Sequence, residues 1–360
     1  MMRRIPFVTL ILLVLLAATA FGQAAPAFHA SALVQIGDKV KYGSYEMIKI
    51  GNGIYQIKDY GDPKALMGGK VGTDMYMILG AKKALMIDLG NNYIAGYKGD
   101  AIPPRKNAEA EFLAIVDGLR GKLPVEAAIT HAHPDHDGMT MALVDRKATV
   151  WMPKGEDMEA PRTQHGIDPA VYTVFDQQTK TWDLGGGRVV KPVMVRGHTN
   201  GCSVYLLESE MMLFTGDCLG IGVGRSLRTA EQLKMWAEDT PKLVSFIETN
   251  YKPFDRYRLK VFTGHSLGNP SEGFVNADHP KLDLDYLDWR FVQDQALCAN
   301  AIVKGLWLKP NTGLHLMERT NQQTGQKTYQ FLYGIGAADM PLAEAYKAAG
   351  IEMPKDTGTK

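Results

Sequence analysis

Between Thr130 and Gly138 the chain reads Thr-His-Ala-His-Pro-Asp-His-Asp-Gly. Three imidazoles and a carboxylate, those of His131, His133, His136 and Asp135, therefore fall within six residues. Imidazole nitrogen and carboxylate oxygen together suit zinc, and also iron or manganese. The cluster sits directly after the apolar run Val125 to Thr130, in a turn whose geometry can point alternate side chains at one place. Two more histidines close later apolar runs, His198 in Gly197-His198-Thr199 and His265 in Gly264-His265-Ser266. A lone histidine is more often structural than a ligand. Here five of the nine histidines stand at strand ends, and a purely structural reading needs an unrelated cause for each.

The elements that must position these groups are legible from period and punctuation. Short runs with strand character, separated by Gly and Asn turns, cover Gly53 to Ile57, Met75 to Leu79 and Ala84 to Ile87, the last running into Asp88-Leu89-Gly90. A helix is expected from about Asn107 to Leu119, with Phe112, Ile115, Val116 and Leu119 on one face. Further strands are expected near Thr149 to Met152, Val189 to Val195, Ser203 to Leu207, Met211 to Thr215 and Leu259 to Thr263, and helices over Thr229 to Asn250 and Asp283 to Lys304. The polar stretch Asn321 to Gln326 reads as a turn between two short strands. Helix, strand and His-rich turn in that order indicate an α/β arrangement with its chemistry at the C-terminal ends of strands. No internal repeat or low-complexity run interrupts it.

The hexapeptide His131-Ala132-His133-Pro134-Asp135-His136 resembles the HxHxDH signature of the metallo-β-lactamase superfamily. Met86-Ile87-Asp88-Leu89-Gly90 is similar to that family's early strand ending in Asp and Gly, and Gly197-His198-Thr199-Asn200-Gly201 to its third-histidine motif. Phe214-Thr215-Gly216-Asp217 resembles its bridging-aspartate motif, and Phe262-Thr263-Gly264-His265 its last-histidine motif. The resemblance implies an αββα sandwich, two mixed sheets face to face with helices outside. It further implies two metal ions, zinc by preference with iron or manganese as options: His131, His133 and His198 for the first, Asp135, His136 and His265 for the second, Asp217 between them. Asp135 would also be the catalytic carboxylate, and Asp88 a support for the metal loop rather than a ligand.

Two departures leave alternatives open. Cys218 follows Asp217, and a thiolate is a good zinc ligand, so Cys218 is either a ligand in place of Asp217 or a packing or supporting residue. Arg196 stands where the family often has Pro before the Gly; it either brings a cation to the site's mouth or is an exposed loop residue. The three cysteines, Cys202, Cys218 and Cys298, are too few for a stapled scaffold. Cys202 and Cys218 flank an expected β-hairpin and could lie near each other, although packing is the commoner role for a cysteine and is the reading preferred for Cys202 and Cys298.

The chain has 360 residues, 45% of them hydrophobic, enough for one large domain with a small extension. Its start, with Arg3-Arg4, an apolar stretch from Ile5 to Ala18 and small residues at Ala18-Thr19-Ala20, reads as an export signal over residues 1–22, an uncleaved anchor being the rival. A catalytic domain over 30–310 and an extension over 311–360 packed on it are expected, in the periplasm or outside the cell, with no stable membrane association once the signal is removed. Lys and Arg number 40 against 39 Asp and Glu, which gives no field for capturing nucleic acid. A small-molecule substrate is expected instead, and nothing in the sequence sets the oligomeric state.

Taken with export, the resemblance implies a hydrolase for an ester, thioester, lactone or β-lactam bond. The rivals are a single-iron sulfur oxygenase of the same superfamily and a non-catalytic metal-binding protein. Substrate walls are expected from Met141 to Lys191, Leu219 to Thr229 and the region after His265. Trp182, Tyr205, Arg225, Arg228, Trp289 and Trp307 are candidate substrate contacts, with core packing or an exposed polar role the weightier alternative for each.

Overall fold

Apolar residues in the central strands divide between two cores, one on each face of their sheet, and this division sets the layers of the molecule. The computed structural model describes residues 27–59, 73–93, 105–220, 230–265, 286–301, 313–320 and 327–334. The expected export segment lies outside them, and none of the described helices is long and apolar enough to cross a membrane.

The first sheet has eight strands in chain order: β1 (Lys39–Tyr42), β2 (Tyr45–Gly51), β3 (Ile54–Asp59), β4 (Thr73–Leu79), β5 (Ala84–Ile87), β6 (Val125–Ala128), β7 (Thr149–Pro153) and β8 (Tyr172–Phe175). Neighbours are antiparallel up to β5 and parallel from β5 to β8. The second sheet has six: β9 (Trp182–Gly185), β10 (Arg188–Met194), β11 (Ser203–Leu207), β12 (Met212–Phe214), β13 (Lys260–Phe262) and β14 (Leu287–Asp288), with β12 and β13 parallel and the other pairs antiparallel.

Along β4 and β5, Met75, Met77, Ala84 and Met86 face an outer core, while Tyr76, Ile78, Leu85 and Ile87 face the second sheet. That is the two-residue period of an extended chain, and burial on both faces makes such strands read as unbroken apolar runs. In the second sheet Tyr205, Leu207, Met212, Phe214 and Phe262 meet the first sheet, while Val204, Leu206, Leu213 and Val261 face outward. The Tyr76 ring sits 4.8 Å from that of Phe214 and 5.7 Å from that of Phe262. Helices close the outer faces. On the first sheet α1 (Ala108–Arg120) buries Phe112, Ile115, Val116 and Leu119, and three short helices follow: α2 (Pro134–Asp137), α3 (Thr140–Val144) and α4 (Ala160–His165). On the second, α5 (Ala230–Asn250) contributes Trp236, Leu243 and Ile247, α6 (Pro253–Arg256) follows, and α7 (Trp289–Ala301) contributes Phe291, Val292 and Ala299. The order helix, sheet, sheet, helix is the expected αββα sandwich.

Some local expectations need correction. The stretch from Asp283 expected to be helical instead pairs residues 287 and 288 with β13, and the helix starts at Trp289, where Asp288 Oδ1 accepts the Phe291 N–H. An open strand edge beside it outcompetes the local helical preference. β6 ends at Ala128, before the apolar run does: the Ile129 N–H still donates to Trp151 O at 2.9 Å, but the Thr130 N–H turns to the Asp88 carboxylate. A further hairpin, β15 (Gly313–Thr320) with β16 (Lys327–Gly334), lies beside α7; the turn expected at 321–326 is outside the described residues.

Candidate metal centre

Parallel pairing brings the C-terminal ends of neighbouring strands together. β5 and β6 deliver Asp88 and the Thr130 to His136 loop on one sheet; β12 and β13 deliver Asp217 and His265 on the other; the β10–β11 turn supplies His198. Backbone contacts across the sandwich lock these ends. Ser203 N donates to Thr130 O at 3.0 Å, Asp74 N to Gly264 O at 2.7 Å, and the Tyr76 hydroxyl to Thr263 O at 2.6 Å.

All seven expected ligand residues converge. His131 Nε2, His133 Nδ1 and His198 Nε2 form a triangle with sides of 2.9, 3.0 and 3.0 Å. Beside it, Asp135 Oδ2 lies 3.4 Å from His265 Nε2 and 3.9 Å from His136 Nε2. Asp217 reaches both groups: Oδ2 is 3.7 Å from His198 Nε2, and Oδ1 is 3.5 Å from His136 Nε2 and 3.3 Å from His265 Nε2. Among the described residues, His131 with His133 and His198, His131 with His136 and Asp217, and Asp135 with His136 and His265 are each close enough to share one ion.

The donors fit cations. Three imidazole nitrogens that close repel one another unless a proton or cation lies among their lone pairs, and a tetrahedral ion about 2.0 to 2.1 Å from each would hold them about 3.3 to 3.4 Å apart, an opening of only a few tenths of an ångström. His136 Nε2 and Asp217 Oδ1 are buried, 3.5 Å apart, and have no hydrogen-bond partner, a costly state that an ion between them relieves. The space is kept open by Gly264, where a Cβ would fall 2.7 Å from both Asp217 Oδ1 and His136 Cε1.

Electrostatics treat the two donor sets differently. Burial, then the neighbouring imidazoles, pushes His131 well below its ordinary range, burial lowers His133, and His198 falls to about 3, so these rings are neutral and able to coordinate. For Asp217, burial acts upward but the imidazoles of His265 and His136 outweigh it and hold the carboxyl well down; His136 and His265 do the same to Asp135. Conversely the carboxylates raise His265 to about 10 and His136 well above its usual value, burial notwithstanding, so these two rings hold a proton that a cation would displace on binding.

Support comes from a surrounding layer. Asp88, in the left-handed region at φ 59°, accepts the Thr130 N–H at Oδ1 (2.7 Å), and its Oδ2 takes the Thr130 hydroxyl (2.8 Å) and His136 Nδ1 (2.8 Å). This turns His136 Nε2 inward. Below the loop, Asp137 Oδ2 accepts the Tyr172 hydroxyl at 2.8 Å, and Oδ1 lies 3.0 Å from His165 Nε2. Glu156, in the turn after β7, was not singled out by any motif. Its Oε2 accepts the Ala132 N–H (3.0 Å), and its Oε1 accepts the Gly201 N–H (2.9 Å) and the Thr199 hydroxyl. Burial raises its carboxyl to about 7 against these three hydrogen bonds. Only Gly155 and Gly201, which allow the two turns to touch backbone to backbone, hint at it in the sequence: a Cβ on Gly201 would lie 2.5 Å from Glu156 N.

Other candidates resolve differently. Cys218 is bonded to Cys202, with Cα atoms 6.0 Å apart, so it is neither a ligand nor a free packing thiol, and the packing reading of Cys202 is corrected likewise. The bond ties the turn after His198 to the turn after Asp217. Arg196 is held by Asp239 at 2.6 and 2.9 Å and does not bring a free cation to the site. Trp182, Tyr205 and Trp289 are core residues, the Tyr205 hydroxyl donating to Ile129 O. Arg225, Arg228 and Trp307 lie outside the described residues.

Residues 68–251, just over half of the chain, match the sequence model of the Metallo-beta-lactamase superfamily. The chain belongs to this superfamily. A curated relative, the Beta-lactamase-like protein 2 homolog of Caenorhabditis elegans, is 23% identical over 191 residues, 51% of this chain and 55% of the relative, so the match spans about half of that protein's length. Among solved structures, the DIM-1 metallo-beta-lactamase exposed to ceftazidime superposes with a TM-score of 0.50 at 14% identity over 72% of this chain and 98% of that one. The mono-zinc form of FIM-1 from Pseudomonas aeruginosa gives 0.49 at 14% identity over 71% and 94%. At such identities the likeness concerns the fold, while the superfamily itself points to metal-dependent hydrolysis.

Proposed function

We propose that this superfamily member is an exported binuclear metal-dependent hydrolase that opens an ester, thioester, lactone or β-lactam bond in a small molecule. The observation that carries the proposal is the pair of adjoining donor sets, a triangle of imidazole nitrogens no more than 3.0 Å apart and a mixed imidazole and carboxylate set, with Asp217 reaching both. The complete second set speaks against a single-iron oxygenase. Export is supported by the apolar N-terminal stretch, and by the Cys202–Cys218 bond, since disulfides persist in oxidising compartments.

His131, His133 and His198 would hold one ion, Asp135, His136 and His265 the other, with Asp217 shared. Zinc suits this nitrogen and oxygen set. When bound, such a pair supplies Lewis-acid polarisation of the scissile carbonyl and acidifies a water toward neutral pH. The protein's own part is orientation. Asp135, whose side chain is 26% exposed and the most open of the carboxylates here, faces arriving substrate and would orient the attacking water. Asp88 keeps His136 Nε2 turned inward, and Asp217 holds the two donor sets at a fixed separation.

The test is metal analysis of the purified mature protein with a panel of β-lactam, lactone, thioester and ester substrates. Two zinc ions per chain and hydrolysis of at least one class are expected, and Asp135→Ala should remove most turnover while the protein stays folded. One iron per chain, or full activity of a well-metallated Asp135→Ala, would overturn the proposal.

A further inference from the structure

We infer that Glu156 is a positioning residue that holds the His131, His133 and His198 imidazoles in register, by clamping the two loops that carry them with a single carboxylate. The inference rests on the reading that these imidazoles hold an ion.

Glu156 comes from a third segment, between β7 and α4, and is 8% exposed. One oxygen accepts from Ala132, the residue between His131 and His133; the other accepts from Thr199 and Gly201, on either side of the turn after His198. Both ends of the nitrogen triangle thus hang on the same side chain. The arrangement is reinforced by Gln177, whose Nε2 donates to Lys154 O (3.0 Å), Gly201 O (3.2 Å) and Ser203 Oγ (3.2 Å). None of these contacts involves His136 or His265, which are instead aligned through Asp88, Asp135 and Asp217. Glu156 therefore serves the triangle alone, whereas Asp88 reaches both sets, through His136 and through Thr130, whose hydroxyl lies 3.0 Å from His131 Nδ1.

The one-sided reach of Glu156 makes a near-isosteric substitution informative. The Ala132 and Gly201 N–H groups are backbone donors and cannot turn away. A glutamine offers one acceptor oxygen and one NH2, so Glu156→Gln sets its NH2 against one of those donors whichever way the amide is turned. One loop must then come loose from the other.

The experiment is cobalt titration of the metal-free protein, followed by visible absorption and by the paramagnetically shifted imidazole protons, which assign each bound ion to its own histidines. Glu156→Gln is expected to lose about 10- to 100-fold in affinity at the His131, His133 and His198 set and to leave the His136 and His265 set unchanged. Glu156→Asp, which keeps the charge but cannot span both loops, should show the same selective loss in smaller degree, and carries the test if the glutamine variant does not fold. Equal losses at both sets, the mark of a merely structural role, or no loss at either, would overturn the inference while leaving the proposed function standing. Failure of the wild-type protein to take up cobalt at these histidines would overturn both.

Discussion

Replacing Asp88 by asparagine should weaken ion binding at His136 by a change of tautomer, leaving the fold almost untouched. Asparagine is nearly the same size and tolerates the left-handed conformation that residue 88 adopts at φ 59°, so no backbone strain is added. Its amide oxygen must stay with the Thr130 N–H, a fixed donor now 2.7 Å from Oδ1. The NH2 then replaces Oδ2, which lies 2.8 Å from the Thr130 hydroxyl and 2.8 Å from His136 Nδ1. The hydroxyl can rotate to accept. The imidazole can accept at Nδ1 only by carrying its proton on Nε2, the nitrogen that faces Asp217 and Asp135. Binding an ion there requires the proton back on Nδ1, against the amide, and two buried donors facing each other cost about 1 to 3 kcal/mol. That corresponds to about 5- to 150-fold in affinity, in line with the roughly 10- to 100-fold typical of groups that orient metal ligands. Stability of the metal-free chain should fall by no more than about 1 kcal/mol, because the alternative tautomer leaves only the Thr130 hydroxyl proton without its former acceptor, and His131 Nδ1 lies 3.0 Å from that oxygen. Asp88→Ala, by contrast, strands the Thr130 N–H and His136 Nδ1 and should cost the fold about 2 to 6 kcal/mol. Chelator competition gives the affinity, nitrogen-15 NMR of His136 the tautomer, and urea unfolding the stability. The reasoning is refuted if Asp88→Asn binds its second ion as tightly as the wild type, or if His136 of the metal-free variant, once titrated to its neutral form, carries its proton on Nδ1.

Two further outcomes follow from other contacts. Replacing Cys202 and Cys218 together by serine should lower unfolding stability by about 3 kcal/mol, the loop-closure contribution for residues 16 apart, and mass spectrometry of the non-reduced wild type should find these two thiols blocked. Asp239 is held below the usual carboxylate range: burial opposes this, but hydrogen bonds from Arg196 and Lys242 outweigh it. A depressed folded pKa means that its stabilisation is complete above the unfolded value of about 3.9 and fades as pH drops through the folded value. Asp239→Asn should therefore be less stable than wild type by about 1 to 2 kcal/mol between pH 5 and 8, with the gap closing in acid; urea unfolding across a pH series measures it.

The seven residues of the candidate metal centre were legible in the sequence through the resemblance of their motifs to those of the superfamily, and the five histidines also because they follow runs with strand character that stop at a turn. Residues 131 to 136 are close in space simply because they are close in the chain, and the amphipathic face of α1 is likewise a local pattern. Asp88 resembled a support in the sequence, but the two hydrogen bonds by which it holds Thr130 and the one by which it aims His136 were not legible there.

What only the tertiary structure decided depends on register between distant segments. The hydrogen bond from Ala132 to Glu156 joins residues 24 apart and that from Gly201 joins residues 45 apart, and a lone glutamate in a turn has no local signature. Whether Cys218 was ligand, filler or half of a disulfide turned on the 6.0 Å between its Cα and that of Cys202, a distance set by how β11 and β12 pair. Whether Arg196 brings a cation to the site or is an exposed loop residue is likewise decided only where α5 places Asp239 against it. Donor types and their order are properties of the chain; which oxygen meets which hydrogen across the sandwich is a property of the packing, because a shift of one residue in a strand turns every side chain to the opposite face.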